Sequence, residues 1–321
     1  PTQVAAIETT DWVAWAPAAL RALTTTQVRA LTSDQLAALP VAAIGTLSST
    51  QIGALSVPQL DSLTLEQLAA FTTTQVRGLT TTQIASLDSA DLTALGPNGF
   101  AALTTTQLGG LSTTTLQSLG TSEVAALTSV QIGALTTTQL RALTSTQFAA
   151  LTPDQLRILS STQARGLTTD QVAALTTDQV PGLVSTQLSV LVQTQILALE
   201  TTDIGALSGA QVQALSTTQL RFLTTDQVRG LSVDALAGLT SSQVAGFAPT
   251  QIGALTTTQL AGFGSAQVRG LTTSQIAALD SADLAALGPN GFAALTTTQL
   301  AGLSATTFQS LGTAEVSALT S

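Results

Sequence analysis

Large apolar residues recur along this chain with a strict period of eight. With Thr24 taken as position 1 of an octad, positions 5 and 8 are apolar throughout, and the frame continues to Leu319 without slippage. Position 8 is nearly always Leu, and position 7 is usually Ala, Gly or Ser. The segment 72–87, TTTQVRGLTTTQIASL, contains two such octads in succession. A short fixed period is typical of repeat proteins, whose units stack to share one core.

The polar half of the octad indicates a short helix. Position 1 is usually Thr or Ser, and position 4 is Gln, Asp or Glu in 33 of 40 octads, which is the spacing of a helix capping box. Six of the nine prolines lie at position 2, where the first turn of a helix tolerates them. Acids lie almost entirely at positions 1, 3 and 4 and all nine Arg lie at position 6, which matches a helix dipole that restarts every eight residues.

These patterns predict an all-α solenoid or superhelix of about 40 eight-residue repeats, each one short capped helix. Residues 1–321 are expected to form a single continuous solenoid, with divergent octads over 1–23. Two large side chains per octad cannot offset the ordering of eight residues, so stacking between octads is required. Because Thr favours strands, a β-solenoid is the alternative.

The octad frame assigns structural roles to particular residues. The predicted capping residues are Thr72, Gln75, Asp88, Asp91, Asp280 and Asp283. The predicted core residues are Val76, Leu79, Ile84 and Leu87. Both tryptophans fall at large apolar positions of an early octad and are a possible interface, Trp12 and Trp15. Pro181, at position 6, is expected to weaken its own helix.

A longer duplication overlies the octads. Residues 72–127 and 264–319 match at 45 of 56 positions, and both copies contain DSAD and GPNG. We interpret the duplication as copying of a long block within a repetitive gene, with a specialised bend or contact as the alternative. DSAD supplies too few oxygen ligands for calcium and fits capping instead. GPNG lacks the Lys of a phosphate loop and fits a turn or modified cap.

Composition excludes most chemistry. His, Cys, Met, Tyr and Lys are absent, which removes the commonest general base, the thiol nucleophile and the usual transition-metal ligands. We therefore expect no catalytic residues, no cofactor, no metal and no enzyme activity. Nine Arg without a basic run argue against nucleic acid, and apolar runs are too short for membrane insertion.

The pattern LTTTQVxALTTxQIxAL resembles the Thr/Gln/Leu/Ala-rich short-repeat tracts of large bacterial secreted or cell-surface proteins. This resemblance implies a structural protein, an extracellular filament, fibre or adhesin stalk whose partner is another copy of itself. Rows of Thr also resemble those of ice-binding solenoids. The alternative function is therefore an ice- or surface-binding Thr array.

Overall fold

The computed structural model describes residues 2–12 and 17–318, and every regular element in these two ranges is a helix. Most octads contain one helix, which begins at position 2 and ends at position 5, 6 or 7. The all-α repeat fold is confirmed, and the β-solenoid alternative is wrong because the described residues contain no strand.

The backbone of each octad alternates between extended and helical conformations. Thr72, at position 1, is extended, with φ −70° and ψ 157°, and the helix Thr73–Gly78 follows it. Leu79, at position 8, is extended again, with φ −63° and ψ 137°. Each octad is therefore a short helix followed by a corner, and the corner turns the chain toward the next helix.

The chain forms two compact units, Pro1–Ile158 and Leu159–Ser321. The prediction of a single continuous solenoid over 1–321 stays a prediction. Within the described residues, the α-helices of the first unit are α1 Thr2–Ala5, α2 Thr9–Trp12, α3 Pro17–Arg21, α4 Thr25–Arg29, α5 Ser33–Ala37, α6 Val41–Ile44, α7 Ser49–Ala54, α8 Val57–Asp61, α9 Leu65–Ala69, α10 Thr73–Gly78, α11 Thr81–Ser86, α12 Ser89–Ala102, α13 Thr105–Gly109, α14 Thr113–Ser118, α15 Thr121–Ala126, α16 Ser129–Ala134, α17 Thr137–Ala142, α18 Ser145–Ala149 and α19 Pro153–Arg157.

The second unit repeats the same organisation. Its helices, over the part that the structure describes, are α20 Ser161–Gly166, α21 Thr169–Ala173, a 3-10 helix Val180–Gly182, α22 Ser185–Leu188, α23 Gln193–Ala198, α24 Thr201–Ala206, α25 Gly209–Gln213, α26 Thr217–Phe222, α27 Thr225–Gly230, α28 Val233–Ala237, α29 Ser241–Gly246, α30 Pro249–Ile252, α31 Thr257–Ala261, α32 Ser265–Gly270, α33 Thr273–Ile276, α34 Ser281–Ala286, α35 Gly288–Ala294, α36 Thr297–Leu300, α37 Ala305–Gln309 and α38 Thr313–Ala318.

Within each unit, three octads make one turn of a superhelix. In the first unit α7 packs on α10, which begins 24 residues later (73 − 49). In the second unit α26 packs on α29, again 24 residues later (241 − 217). Helices of consecutive octads therefore follow one another around a turn, and helices three octads apart stack.

The core of each unit is built from positions 5 and 8. Val76, Leu79, Ile84 and Leu87 are all buried, as are the residues equivalent to them in most other octads. Position 7 is small because stacked helices approach closely there. A Cβ added to Gly78 would lie 2.5 Å from the carbonyl oxygen of Ser49, in the helix stacked below it.

Two kinds of octad depart from the common helix. In both GPNG segments the first glycine has a positive φ, 65° at Gly96 and 67° at Gly288, which a residue with a Cβ rarely adopts. This glycine kinks the chain between consecutive helical segments, in agreement with a modified cap. In the octad 176–183, Pro181 lies in a 3-10 helix, as expected of a proline that disrupts the α-helix.

Candidate functional site

The feature that recurs at most corners is a glutamine at position 4, illustrated by Gln75. The hydroxyl of Thr72 accepts a hydrogen bond from the Gln75 backbone N–H at 3.3 Å. In return, Gln75 Oε1 accepts one from the Thr72 backbone N–H at 2.8 Å. This reciprocal pair is a capping box, and it satisfies two backbone donors at the start of α10.

The amide nitrogen of the same glutamine binds the preceding turn. Gln75 Nε2 donates to the carbonyl oxygen of Ile44 at 2.7 Å and to that of Leu47 at 2.9 Å. Ile44 and Leu47 precede Gln75 by 31 and 28 residues in the sequence. They occupy positions 5 and 8 of their own octad, which ends at the corner below. The second unit has the same bonds, for example from Gln227 to Ile196 and Leu199. We call this arrangement the glutamine corner.

The glutamine corner explains why position 4 is usually Gln and seldom Asp or Glu. Gln fills 27 of the 40 octads there, and all of these except Gln3 and Gln27 are buried. A carboxylate could accept the capping bond, but it has no N–H for the carbonyls of the preceding turn. The sequence analysis identified the capping half and missed the bonds between turns. The excess of Gln over Asp and Glu was the available signal.

The two DSAD segments place carboxylates where other octads have Thr and Gln. Asp91 N–H donates to Asp88 at 2.9 Å, and Asp88 N–H donates to Asp91 at 3.2 Å. Asp280 and Asp283 have the same two bonds. Partial burial raises the pKa of Asp91 and of Asp283 above its ordinary value; the hydrogen bond from the backbone N–H of Asp88 or Asp280 opposes this increase, and the negative charge of the same neighbour adds to it. The geometry is that of caps.

Asp203 is the acid least suited to its position. It replaces the usual glutamine, its residue is only 2% exposed, and its Oδ2 has no hydrogen-bond partner in the described part of the chain. Burial, together with the nearby negative charge of Glu200, raises the pKa of Asp203. At the glutamine corners position 4 bonds to carbonyls 31 and 28 residues earlier, and from this spacing we infer that Asp203 faces those of Val172 and Leu175, which are acceptors like itself. At this corner a buried carboxylate oxygen is therefore left without a hydrogen bond.

Three arginines at position 6 also bond to a stacked helix or to the residues just after it. Nε of Arg29, Arg77 and Arg229 donates to the carbonyl oxygen of Ala54, Ala102 and Ala254 respectively, at 3.0–3.2 Å. Asp226 and Arg229 lie three residues apart on one helix, yet the described residues contain no salt bridge between them. The equivalent pair, Asp154 and Arg157, does form at 3.1 Å with both side chains exposed, where it contributes little stability.

The remaining surface is formed mainly by small hydroxyl and apolar side chains. Positions 1 to 3 expose Thr and Ser hydroxyls, and an open groove of about 550 Å³ in the first unit is lined mainly by Leu65, Ala69, Ala90 and Ala94. No group of three or more His, Cys, Asp or Glu in the described residues could hold a metal ion. No helix in those same ranges has the length and hydropathy needed to cross a membrane.

The two tryptophans cannot be placed as an interface. Trp12 ends α2, but its side chain lies outside the described residues, as does the whole of Trp15. The interface assignment for Trp12 and Trp15 therefore stays a prediction from the sequence.

Comparison with known families identifies the repeat. The family model described as the ALTTAQ repeat matches eight segments, some of them overlapping, that together cover most of the chain, residues 4–41, 84–121, 100–137, 124–157, 153–185, 196–233, 247–281 and 276–313. A search of curated proteins found no match. The matched segments are each longer than one turn of three octads.

Proposed function

This chain belongs to the ALTTAQ repeat family, and from that premise we propose that it is a structural, non-catalytic protein that forms an extracellular filament, fibre or adhesin stalk. In its tandem repeats, backbone carbonyls of one turn accept hydrogen bonds from glutamine side chains of the next turn. The observation that carries the proposal is the glutamine corner. It satisfies backbone carbonyls between turns without any other partner or cofactor.

The surface chemistry supports a structural role over a catalytic one. The chain has no His, Cys or Lys to activate its many Ser and Thr hydroxyls. Only 8% of its residues are charged, so little electrostatic repulsion opposes association between copies. The absence of Cys and Met leaves no sulfur that could be oxidised, which suits an exposed extracellular location.

The resemblance to repeat tracts of large bacterial secreted or surface proteins supports a bacterial, extracellular setting. The ice-binding alternative rested on likeness to β-solenoids, and without strands in the described residues it loses that basis. It therefore remains only as an outcome of the experiments below.

Electron microscopy of the purified chain over a series of concentrations tests the proposal. We expect filaments or rod-like particles whose length increases with concentration. Short particles of one size at every concentration would contradict self-assembly. Binding of the chain to ice crystals, with no assembly, would favour the alternative function.

Location is tested separately by antibody labelling of intact, unpermeabilised cells that produce the protein. We expect the label at the cell surface or in the medium. Labelling that requires permeabilised cells would contradict the extracellular assignment.

A further inference from the structure

One full turn of the second unit, residues 184–207, begins its helices without hydroxyl caps. Its three octads start at Val184, Val192 and Glu200, and none of these side chains accepts a hydrogen bond from the first turn of its helix. In the octad before them, Pro181 lies in a 3-10 helix that takes the place of the α-helix. We call residues 184–207 the uncapped turn.

Elsewhere in the described helices from α4 to α37, the loss of a cap is isolated. Pro40, Gly120, Ala248 and Gly264 give no side-chain cap, but an octad with a side-chain cap lies on both sides of each. The two GPNG octads also lie between capped neighbours. Because a helix start without such an oxygen acceptor is less stable, three in succession weaken a whole turn.

The last octad of the uncapped turn also lacks bonds to the turns on either side. Asp203 occupies position 4 there, and its buried Oδ2 has no hydrogen-bond partner among the described residues. Ala235, which follows Ile204 by 31 residues and Leu207 by 28, lies where other octads have the glutamine that donates to such carbonyls. The corner 200–207 is therefore without a glutamine bond in either direction.

The helix below the uncapped turn contributes less apolar surface to the core than its equivalents do. Position 5 is a large apolar residue in every octad except 160–167, where it is Ala164. This alanine is 2% exposed and lies in α20, on which α22 of the uncapped turn packs. A smaller buried side chain gives less hydrophobic stabilisation, so α22 is held less strongly than other helices of the stack.

We propose that the uncapped turn opens and recloses on its own while the turns on either side stay folded. In a stack of repeats, each turn is held by its own caps and by its bonds to neighbouring turns, so a turn in which both are weakened is the first to unfold locally. The second unit then has a built-in place where it can bend or lengthen without general unfolding. This inference goes beyond the proposed function and does not depend on self-assembly.

Hydrogen exchange followed by mass spectrometry tests the opening, with residues 208–231 as the matched turn. That turn has hydroxyl caps at Ser208, Ser216 and Thr224. In both turns the N–H at position 5 donates to the carbonyl at position 1 at 2.9–3.1 Å, and the residues at position 5 are at most 1% exposed. We therefore expect the caps to decide, and the uncapped turn to exchange at least about tenfold faster. Equal exchange rates in the two turns would overturn the proposal.

A restored variant combines Val184→Thr, Val192→Thr and Asp203→Gln. The glutamines at position 4 already accept the backbone N–H of Val184 and Val192 at 2.9 and 3.0 Å, so the new hydroxyls complete two capping boxes. We expect exchange in the uncapped turn to slow about tenfold, with no change in the distant helices α31 to α33. Exchange that matches the wild type, or that slows equally throughout the second unit, would contradict local opening.

The reverse variant removes the caps of the matched turn by Ser208→Val, Ser216→Val and Thr224→Val together. Fast exchange should then extend to residues 208–231, while the helical circular dichroism stays close to that of the wild type. If these residues exchange no faster than before, the caps do not control opening and the proposal fails.

Limited proteolysis gives a second readout on the native chain. A glutamyl endopeptidase can reach Glu200 in the uncapped turn and Glu66 in the first unit, and both residues are exposed. In the restored variant, cleavage after Glu200 should slow about tenfold, and cleavage after Glu66 should not change. Equal slowing at both sites would indicate general stabilisation and would overturn the local opening.

Discussion

At the scale of single residues, one side chain satisfies two separate requirements. Gln75 accepts a hydrogen bond at the start of its own helix and donates two to carbonyls of the preceding turn. Glu would serve the first purpose and fail the second, because an ionised carboxylate only accepts hydrogen bonds. The cap could be predicted from the local S/T-x-x-Q pattern. The inter-turn bonds could not, because their acceptors lie 28 and 31 residues away in sequence.

The first prediction concerns Gln75→Glu. The substitution places a carboxylate against the carbonyls of Ile44 and Leu47, and we expect the free energy of unfolding to fall by at least about 1–3 kcal/mol. Urea denaturation followed by circular dichroism measures the change. Gln27→Glu is the control, since Gln27 has no inter-turn acceptor in the described residues and should change little. Equal losses in the two variants would contradict a bond between turns.

The second prediction concerns Asp203. Burial raises the pKa of this residue above its ordinary value of 3.8. The folded state therefore favours the protonated carboxyl, and the stability that this residue contributes is lost as pH rises through its folded pKa. We expect Asp203→Gln to raise the free energy of unfolding by about 1–3 kcal/mol at pH 7, because the new amide can donate to the preceding turn.

The gain from Asp203→Gln should decrease as the pH falls toward 3.8, where the wild-type carboxyl is protonated and can itself donate. Urea titrations of both proteins at several pH values measure this difference. Asp234→Asn is the control, since Asp234 is exposed at position 3 and its removal should leave stability almost unchanged. A gain that is independent of pH would contradict the role assigned to Asp203.

At the scale of the element, eight residues are enough for one helix and one corner because the two ends of the helix are specified separately. Thr and Gln begin it, and the extended Leu at position 8 ends it. Small residues at position 7 then decide how closely stacked helices approach. The sequence shows small residues at position 7, and the approach of Gly78 to Ser49 shows the distance involved.

The third prediction tests that close approach. In Gly78→Ala, the new Cβ would lie 2.5 Å from the Ser49 carbonyl oxygen, so the stacked helices must separate. We expect a loss of about 1–3 kcal/mol in unfolding free energy. Gly109→Ala is the matched control, because nothing lies within 4 Å of its added Cβ. That variant should be stabilised by about 0.4–1 kcal/mol through the unfolded state. Similar stabilities of the two variants would contradict the packing argument.

At the scale of the molecule, each unit is a superhelix in which every turn contacts its neighbours along the stack. Its stability is then the sum of many similar local terms and does not depend on a central site. The net charge of −9 comes from scattered acids without a run, and only Asp203 is a buried acid with an unpartnered oxygen in the described ranges. The corners therefore hold each unit together.

The fourth prediction concerns metal removal. Excess EDTA should leave the thermal unfolding midpoint of the chain unchanged, because no candidate metal site is present in the described residues. Circular dichroism melts with and without EDTA and added Ca²⁺ measure this. A Ca²⁺-dependent rise in the midpoint that Asp88→Asn and Asp280→Asn abolish would show that the DSAD segments bind the ion.

The sequence by itself determined the octad, the helix with its cap, and the apolar positions 5 and 8, because these depend on contacts within a few residues. Only the tertiary structure decided that three octads make a turn and that glutamine joins one turn to the next. The physical reason is separation along the chain. Helices 24 residues apart stack through side chains common to every octad, so no local pattern distinguishes three octads per turn from another number.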